Sequence, residues 1–441
     1  MKVVRVGLIG LGTVGAGVFS VLRRNQEEIK RRTGCRIEIT TVSRRDLDKA
    51  RSMVDGAVRV VANPHELIDS PDVDVVVELI GGCDAAREFV LRAIAAGKHV
   101  VTANKALLAT HGTEIFAAAE ARGVMVAFEA AVAGGIPIVK ALREGLTANR
   151  IQWIAGIING TTNYILSEMR NRGVSFDAAL RQAQALGYAE TDPTFDVNGT
   201  DAAHKATLMS AIAFGIPVQF DRAYVEGISG LANLDLRYAE QLGYRIKLLG
   251  IVRRREGEGV ELRVHPTLLP ARQLIANVEG AMNAIVVNGD AVGNTLYYGK
   301  GAGSEATASA VIADLVDVAR LSTSNPEHRV PYLAFQPGAV RDVQVLPIAE
   351  AITSYYLRLR VADETGVLAR VTAILAQSGI GVGALLQLEA KDVGGDESAQ
   401  TDLVILTHQA RERAMNVALT QLQALPVVLA PIVRIRKEEL D

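Results

Sequence analysis

Residues 190–205, "ETDPTFDVNGTDAAHK", hold a dense group of side chains able to do chemistry. Asp201 and Lys205 are four residues apart, so on a helix they share one face. A lysine beside carboxylates can have a shifted pKa and exchange a proton with a carbonyl oxygen, while acids bind an ammonium group. The pattern predicts a site for a small substrate with an ammonium group and a carbonyl, and a capped helix with one solvated ion pair is the alternative. The acids are Glu190, Asp192, Asp196 and Asp201.

The segment that follows predicts a buried helix for this pair. "ATLMSAIAFGI" is almost entirely apolar. Asn198 or Thr200 is suited to the N-cap position, and Asp201 then lies in the first turn, where the helix dipole favours an anion. Since burying an unpaired charge is costly, we expect Asp201 and Lys205 to pair.

The chain begins with a pattern of strand, glycine-rich turn and helix, "VVRVGLIGLGTVG". Such a turn lets the backbone approach a pyrophosphate at the helix N-terminus. We therefore predict a dinucleotide site, with a generic tight turn between strand and helix as the alternative. Its residues are Gly10, Gly12, Thr13, Val14 and Gly15.

The second strand, "CRIEITTVSRR", ends in a hydroxyl and two cations at Ser43, Arg44 and Arg45. NAD binders usually place an acid there for the ribose hydroxyl. The basic end favours a 2′-phosphate, hence NADP(H), although NAD remains possible. An exposed basic turn is the alternative.

Strands and helices then alternate, which predicts a doubly wound parallel sheet. "HVVTANKALLA" is predicted to be a strand and a loop, followed by a helix over residues 112–124. Thr102, Asn104 and Lys105 would lie just past the carboxyl end of that strand, where such sheets bind ligands. Lys105 as an exposed loop residue is the alternative.

"FEAAVAGGIPIVKALREGL" offers one carboxylate, Glu129, beside bare backbone carbonyls. Such oxygens can hold a hard cation, and a strand-to-helix turn is the alternative. Further on, a helix follows the glycines at 301 and 303. The last ~90 residues show a β-α-β-β-α-β order, which is ferredoxin-like and predicts a separate unit. By analogy of fold alone, such a module is regulatory.

Composition sets the remaining limits. The chain has 441 residues, 49% hydrophobic and 22% charged, with a net charge of −2, so no nucleic-acid or anionic-membrane partner is indicated. Only Cys35 and Cys83 occur, which rules out a disulfide scaffold. No apolar run reaches the ~18–20 residues of a membrane span, so we expect a cytoplasmic globular protein.

Six motifs occur in the order that one family uses. The chain resembles homoserine dehydrogenase with a C-terminal ACT domain. The resemblance covers nearly the whole chain, and the fifth motif is the most specific. The motifs are "GLGTVG", "VVTANKALLA", "EAAVAGGIPIV", "NGTTNYIL", "GYAETDPTFDVNGTDAAHKATL" and "GKGAGSEATASAV".

The resemblance implies an activity and roles for particular residues. Lys205 would donate the proton to the aldehyde oxygen when L-aspartate 4-semialdehyde is reduced to L-homoserine, and accept it in reverse. Asp201 would support Lys205, and Lys105 would lie between cofactor and substrate. The substrate-binding residues would be Glu190, Asp196, Asp201, Tyr188 and Gly160.

The resemblance also implies cofactor, cation and effector sites. Gly303 matches a cofactor contact, and "VADETGVLARV" matches the ACT opening, with Asp363 and Gly366 at a ligand-binding turn and threonine as the effector. Gly381 stands where a small hydroxyl residue is commoner. A homodimer or homotetramer is implied. The implied sodium ligands are Glu129 and the carbonyls of Val132, Gly134 and Ile136.

The expected fold is α/β, in three units. A Rossmann dinucleotide-binding domain covers residues 1–135 and is completed by about 303–330. A mixed-sheet α+β domain for substrate and dimerisation covers 136–302. A linker covers 331–352, and the ACT domain covers 353–441.

Two other functions are kept as alternatives. One is a nucleotide-loaded amino-acid sensor without turnover, which would need the acids but not the lysine donor. The other is a different NAD(P)-dependent amino-acid dehydrogenase, such as one acting on aspartate. A spectrophotometric substrate panel separates all three.

Overall fold

The first of two β-sheets is wholly parallel. The protein is represented by a computed structural model, which describes residues 2–387 and 400–440. The strands of this sheet are β1 (Val3–Ile9), β2 (Arg36–Ser43), β3 (Arg59–Val61), β4 (Val75–Glu78), β5 (His99–Thr102) and β6 (Val126–Ala127). Their order is β3-β2-β1-β4-β5-β6, so the predicted doubly wound arrangement is confirmed.

Helices cover both faces of this sheet, as a buried parallel sheet requires. The helices in its part of the chain are α1 (Thr13–Arg24), α2 (Gln26–Thr33), α3 (Leu47–Met53), α4 (Pro64–Ile68), α5 (Asp84–Ala95) and α6 (Lys105–Arg122). All four residues of β4 are buried, three valines and Glu78.

The helix α6 begins seven residues before its predicted start at residue 112. The side chain of Asn104 caps it by accepting a hydrogen bond from the backbone N–H of Leu107 at 3.1 Å. The prediction of a loop around Lys105 is therefore wrong, because Lys105 is the first residue of a capped helix. A helix fixes the direction of this side chain more firmly than a loop would.

The second sheet is mixed and has eleven strands. They are β7 (Ile151–Ile157), β8 (Tyr224–Val225), β9 (Tyr244–Arg255), β10 (Gly259–Pro270), β11 (Met282–Gly289), β12 (Gly293–Lys300), β13 (Ile352–Ala362), β14 (Val382–Gln387), β15 (Gln400–Thr407), β16 (Ala410–Arg411) and β17 (Val433–Lys437). The main order is β12-β11-β7-β9-β10-β17-β13-β15-β14. β10 runs parallel to β8 and β17, and the other described pairs are antiparallel.

The remaining helices are α7 (Ile138–Lys140), α8 (Gly160–Arg172), α9 (Phe176–Ala185), α10 (Thr194–Val197), α11 (Thr200–Phe214), α12 (Asn233–Gln241), α13 (Ser304–Leu321), α14 (Val367–Gln377) and α15 (Glu412–Gln423). A short π-helical turn, Ala141–Gly145, follows α7. α13 returns to the first sheet and packs on α1. In residues 2–387 and 400–440, no helix is long and apolar enough to cross a membrane.

The helix α11 is buried from Asp201 to Phe214, so the prediction of a buried helix is confirmed. Its N-cap is neither Asn198 nor Thr200 but Gly199, at φ 88°. The chain turns sharply between α10 and α11, and glycine adopts this left-handed conformation without strain. Asn198 instead accepts a hydrogen bond from the N–H of Thr200 at 2.9 Å.

The C-terminal elements follow the predicted β-α-β-β-α-β order, and their strands lie as β17-β13-β15-β14. This is a ferredoxin-like arrangement. The prediction did not anticipate that β17 also pairs with β10, at Thr267–Arg436 and Leu268–Lys437, which joins these strands to the second sheet. The predicted strand over residues 383–390 is described only to Gln387, and 388–390 lie outside the described residues.

Candidate active site

The pair predicted on α11 is present. Nζ of Lys205 lies 2.7 Å from Oδ2 of Asp201 and donates a second hydrogen bond to the carbonyl of Ile158, also at 2.7 Å. Ile158 follows the end of β7, so strand and helix meet at this ammonium group. Lys205 is 9% exposed and Asp201 4%, which leaves the pair almost without solvent.

A second ammonium group, from the start of helix α6, contacts the same carboxylate. Nζ of Lys105, at the start of α6, lies 3.1 Å from Oδ1 of Asp201. It also lies 5.9 Å from the centre of the Phe195 ring. One buried carboxylate therefore holds two lysines, one at the start of α6 and one on α11. The sequence suggested both lysines but not their shared partner.

Asn159 joins the acids and was not identified as a site residue from the sequence. Its amide Nδ2 donates to Asp196 at 2.7 Å and to Asp201 at 2.8 Å. Its Oδ1 caps α8 by accepting from the N–H of Thr162 at 2.8 Å, which fixes the amide with its nitrogen towards the acids. A polar residue between a buried strand and a helix was the available signal.

Burial and charge shift the pKa values of this cluster in different directions. Burial would raise the pKa of Asp201, yet the charges of Lys205 and Lys105 hold it well below its ordinary value. Burial lowers the pKa of Lys205, with Asp201 opposing the shift and Lys105 adding to it. Burial, and then the charge of Asp201, raises the pKa of Asp196. Asp201 thus stays ionised, while Lys205 releases its proton more readily than a free lysine.

The other predicted substrate residues are Tyr188, Glu190 and Gly160. Tyr188 and Glu190 are exposed. The carbonyl of Tyr188 accepts a hydrogen bond from the Thr161 hydroxyl at 2.6 Å, which ties this loop to α8. At Gly160 a Cβ would lie 2.7 Å from the carbonyl oxygen of Ala281, so glycine permits the close approach. The structure brings Asp196 to the charged pair but leaves Glu190 exposed.

Aromatic rings flank α11 beside the lysines, another feature not identified from the sequence. The His204 ring lies 4.2 Å from the Phe220 ring and 5.3 Å from that of Phe195, centre to centre. Burial lowers the pKa of His204 to about 4, so the imidazole is neutral at pH 7. Both phenylalanine rings thus pack on the buried imidazole of His204, the residue next to Lys205.

The glycine-rich turn is built for close backbone approach. Gly10 has φ 100°, and a Cβ at Gly15 would lie 2.2 Å from the carbonyl oxygen of Gly10. By contrast, a Cβ at Gly12 would meet nothing within 4 Å. Gly10 and Gly15 thus serve the turn itself, while Gly12 leaves open space at the start of α1. This fits the cradle of a dinucleotide pyrophosphate.

The late helix α13 reaches this turn as expected. The Ser304 hydroxyl donates to the carbonyl of Thr13 at 2.7 Å, immediately after Gly303 at φ 123°. A Cβ at Gly17 would lie 2.5 Å from the Ser304 Oγ, so α1 and α13 pack backbone to backbone. Gly303 therefore lies beside the glycine-rich turn. The contact at Gly17 was not predicted from the sequence.

The basic end of β2 lies against the same turn. The Arg44 guanidinium donates to the carbonyl of Leu11, and the carbonyl of Ser43 accepts from the N–H of Gly10 at 3.1 Å. Arg45 is exposed. Arg44 therefore spans from the second strand to the glycine-rich turn, while Arg45 stays in solvent.

Thr102 was predicted at a ligand-binding edge of the sheet, but its hydroxyl is hydrogen-bonded within the protein. It is fully buried, and its hydroxyl donates to Glu78 Oε2 at 2.7 Å and accepts from the N–H of Asn104 at 3.0 Å. Glu78 in turn accepts from the N–H of Ile80 at 2.8 Å. Thr102 thus supports the loop after β4 through Glu78, a buried acid that the sequence did not single out.

The Glu129 loop is a tight, buried turn. The Glu129 carboxylate accepts from the N–H groups of Val139 and Lys140, at 2.9 and 2.8 Å. Burial raises its pKa to about 7 against these two hydrogen bonds. A Cβ at Gly134, φ 52°, would lie 2.4 Å from the carbonyl oxygen of Gly301. No group of three or more His, Cys, Asp or Glu able to hold a metal occurs in the described ranges, so a cation here would rely on carbonyls.

The Val132 carbonyl belongs to this turn, and Ile136 closes it. The carbonyl of Ile136 accepts from the N–H of Ile138 at 2.8 Å, which is one of its two acceptor positions. Asp314 of α13 accepts from the N–H of Glu129 at 2.8 Å and was not identified from the sequence. The loop is thus fixed between α7 and α13.

A cavity of about 930 Å³ lies away from this chemistry. Its walls include Phe116, Arg143, Tyr332 and Phe335, and none of the residues predicted for the site. The ion pairs on α11 therefore locate the reaction better than the size of a cavity does.

Comparison with known proteins gives the family. The family model described as "Homoserine dehydrogenase, NAD binding domain" matches residues 10–129, and "Homoserine dehydrogenase" matches 137–316. The homoserine dehydrogenase of Pseudomonas aeruginosa is 58% identical over 442 residues, covering 100% of both chains. The chain belongs to the homoserine dehydrogenase family. The homoserine dehydrogenase of Neisseria gonorrhoeae is 55% identical over 440 residues, again covering 100% of both chains.

Solved structures agree. A homoserine dehydrogenase from Thiobacillus denitrificans has a TM-score of 0.94 and 61% identity, covering 100% of this chain and 99% of that one. A hyperthermophilic archaeal homoserine dehydrogenase in complex with NADPH has a TM-score of 0.63 and 26% identity, covering 74% and 99%. The chain is accordingly an NAD(P)-dependent oxidoreductase acting on a CH–OH group in amino-acid biosynthesis, and the resemblance of its motifs to homoserine dehydrogenase is confirmed.

Proposed function

We propose that Lys205 is the proton donor in the reduction of L-aspartate 4-semialdehyde to L-homoserine, and the acceptor in reverse. The observation that carries the proposal is the buried carboxylate of Asp201 held between Lys205 and Lys105, at 2.7 and 3.1 Å. A structural ion pair needs one lysine, whereas two ammonium groups on one carboxylate leave positive charge to face a reacting oxygen.

The chemistry follows from these charges. The nicotinamide ring, when bound, supplies the hydride to the aldehyde carbon. Negative charge then grows on the aldehyde oxygen, where Lys205 delivers its proton and Lys105 adds positive charge. The lowered pKa of Lys205 brings the donor closer to working pH, and Asp201 keeps the ammonium oriented. In the reverse direction Lys205 takes the hydroxyl proton of homoserine.

Recognition of the amino-acid part belongs to the acids around α10. Asp196 is half-buried, faces Asp201 through the Asn159 amide and suits the substrate ammonium. Glu190 and Tyr188 are exposed at the rim, where they would complete the pocket as substrate binds. Gly160 leaves the space at the start of α8.

NADPH is the proposed cofactor, with NADH as the weaker one. The pyrophosphate would lie on Gly10, Gly12, Thr13, Val14 and Gly15. Arg44, which spans to this turn, and the exposed Arg45 suit a 2′-phosphate. Gly303 would contact the cofactor from α13, and Thr102 would act through the loop that Glu78 holds. NADPH is the cofactor named for the archaeal relative.

A monovalent cation, Na⁺ in preference, is proposed at the Glu129 turn. The support is a carboxylate 1% exposed that receives backbone N–H groups, beside a loop whose carbonyls are rigidly placed. A cation would supply the missing positive charge. The ligands would be Glu129 and the carbonyls of Val132, Gly134 and Ile136.

The C-terminal strands and helices are proposed to be an ACT domain with threonine as effector. The protein is proposed to be a cytoplasmic homodimer or homotetramer. Support comes from the ferredoxin-like strand order and from Gly366, φ 85°, the N-cap of α14, three residues after Asp363. The proposed limits are 1–135 with 303–330, 136–302, the linker 331–352 and 353–441.

The test is the absorbance of NADPH with purified protein and L-aspartate 4-semialdehyde, with NADH in parallel. We expect NADPH oxidation that matches homoserine formation mole for mole. A folded protein that binds NADPH but oxidises neither cofactor would contradict the proposal and favour the sensor. Oxidation with a different amino-acid substrate alone would favour another dehydrogenase.

A further inference from the structure

Arg436 is a buried arginine of β17 that contacts two parts of the molecule at once. It is 1% exposed. Its Nε lies 2.8 Å from Glu412 of α15, and Nη2 contacts the same carboxylate. Its Nη1 lies 2.8 Å from Glu226, just after β8. The guanidinium therefore ties the C-terminal elements to a segment from the middle of the chain.

Tyr224 completes this cluster. Its hydroxyl donates to Glu226 at 2.7 Å and accepts from Arg436 Nη2 at 3.1 Å, and its ring lies 4.7 Å from the guanidinium carbon. Arg434 also faces the acids, 2.9 Å from Glu412 and 3.9 Å from Glu226. Glu226 thus has its carboxylate fixed from several sides.

The backbone around Glu226 is in close contact with residues 197–199, which form the junction between α10 and α11. A Cβ at Gly227 would lie 2.3 Å from the carbonyl oxygen of Val197, and the N–H of Ile228 donates to that oxygen at 2.9 Å. On the other side, a Cβ at Gly199 would lie 3.1 Å from the side chain of Val225. Because residues 225–228 and 197–199 are closely packed, a displacement of one segment would displace the other.

This junction carries the substrate-facing acids. Asp196 comes directly before it, and Asp201 and Lys205 lie in the first turns of α11 after it. A displacement of the junction would change the distance from Asp196 to the buried pair. Errors of about 1 Å in such placements can cost up to about a hundredfold in rate.

We propose that Arg436 is a positioning residue for the reaction, holding Glu226 so that residues 197–199 keep Asp196 and α11 aligned on the substrate. The inference rests on the proposed roles of Asp196 and Lys205. The planar fork of arginine donates hydrogen bonds to Glu412 and Glu226 together, whereas a lysine would reproduce only part of these contacts. The route runs from the last strand of the C-terminal elements to the substrate acids through named contacts.

A matched ion pair allows stability to be separated from positioning. Arg358 of β13 binds Asp235 of α12 at 2.7 and 3.1 Å, and Asp235 is fully buried. This pair also joins the C-terminal elements to the middle of the chain. The start of α12 contacts the C-terminal end of α8, where Asn233 donates to the carbonyl of Gly173 at 2.9 Å. Loss of Arg358 should therefore destabilise without reaching the junction.

The experiment compares Arg436→Met, Arg436→Lys, Glu226→Gln and Arg358→Met in homoserine oxidation, with melting temperatures alongside. We expect Arg436→Met to raise KM for homoserine about tenfold, with KM for NADP changed less than about twofold. Arg436→Lys should recover part of this loss. Glu226→Gln keeps the shape of the side chain and should fold, with a smaller rise. Arg358→Met should lower the melting temperature alone.

Two outcomes overturn the inference while leaving the function intact. One is an unchanged homoserine KM in Arg436→Met and Glu226→Gln, with melting temperatures lowered as in Arg358→Met. The other is an equal rise of the homoserine and NADP KM values, which means general loosening. A wild-type protein inactive with both L-homoserine and L-aspartate 4-semialdehyde would be a failure of the proposed function and is recognised before any variant is made.

Discussion

Asp201 and Lys205 lie one helical turn apart on α11, with 2.7 Å between carboxylate and ammonium. Each is less than a tenth exposed, on a helix buried from residue 201 to 214. In such surroundings the Lys205 ammonium depends on Asp201, because an uncompensated buried ion costs several kcal/mol, whereas Asp201 has Lys105 as a second partner. The pair therefore depends on both members, and changes at each should have distinct signatures.

Lys205→Met keeps the length of the side chain and removes the proton donor. We expect kcat for aldehyde reduction to fall by about 10²–10⁴-fold, the usual contribution of a general acid. The Kd for NADPH should stay within about twofold, since the glycine-rich turn belongs to the other sheet. Single-turnover kinetics and a fluorescence titration with NADPH measure the two quantities. Turnover near the wild-type rate would exclude Lys205 as the donor.

Lys98→Met is the control for loss of a buried lysine. Lys98 is 8% exposed and donates to the carbonyls of Ser70 and Val73, within the first sheet's layer and away from α11. We expect a lower melting temperature and a wild-type kcat. A kcat as low as that of Lys205→Met would mean that any buried lysine is needed for the fold.

Asp201→Asn should move the alkaline limb of the pH profile. Reduction needs Lys205 protonated, so the rate falls as pH rises through its pKa. Burial already lowers this pKa, and the charge of Asp201 opposes that shift. Removing the charge lowers the pKa further, so the alkaline limb should move to lower pH, with kcat reduced. The measurement is kcat for aldehyde reduction from pH 6 to 10, with a limb at or above its wild-type position as the contradicting result.

The sequence indicated the residues close together in the chain better than the contacts between them. Asp201 with Lys205 follows from helical spacing, and Gly10 to Gly15 from a local turn. Lys105 contacts Asp201 from a different helix, α6, and Asn159 reaches acids 37 and 42 residues away. No periodicity encodes such distances, because they arise from how the layers pack. The insertion of β17 beside β10 is equally non-local.

Gly12→Ala should separate cofactor binding from folding. A Cβ there meets nothing within 4 Å of the protein, and its φ of −89° suits alanine, so the melting temperature should change little. The methyl group would occupy the space offered to the pyrophosphate, and KM for NADPH should rise at least about tenfold. Gly56→Ala, equally open, is the control and should leave KM unchanged. A normal KM in Gly12→Ala would place the cofactor elsewhere.

The two arginines after β2 should differ in their effect on cofactor choice. Arg45 is exposed, so Arg45→Ala should lower kcat/KM for NADPH and leave that for NADH intact. Arg44 also donates to the carbonyl of Leu11, so Arg44→Ala should lower both values. Hydrogen bonds to charged groups contribute about 1.5–3 kcal/mol, which predicts about a tenfold to hundredfold fall in the NADPH-to-NADH ratio for the double variant. Arg51→Ala, which removes an exposed arginine paired with Asp48, is the control. An unchanged ratio in the double variant would show that the basic end of β2 does not select the cofactor.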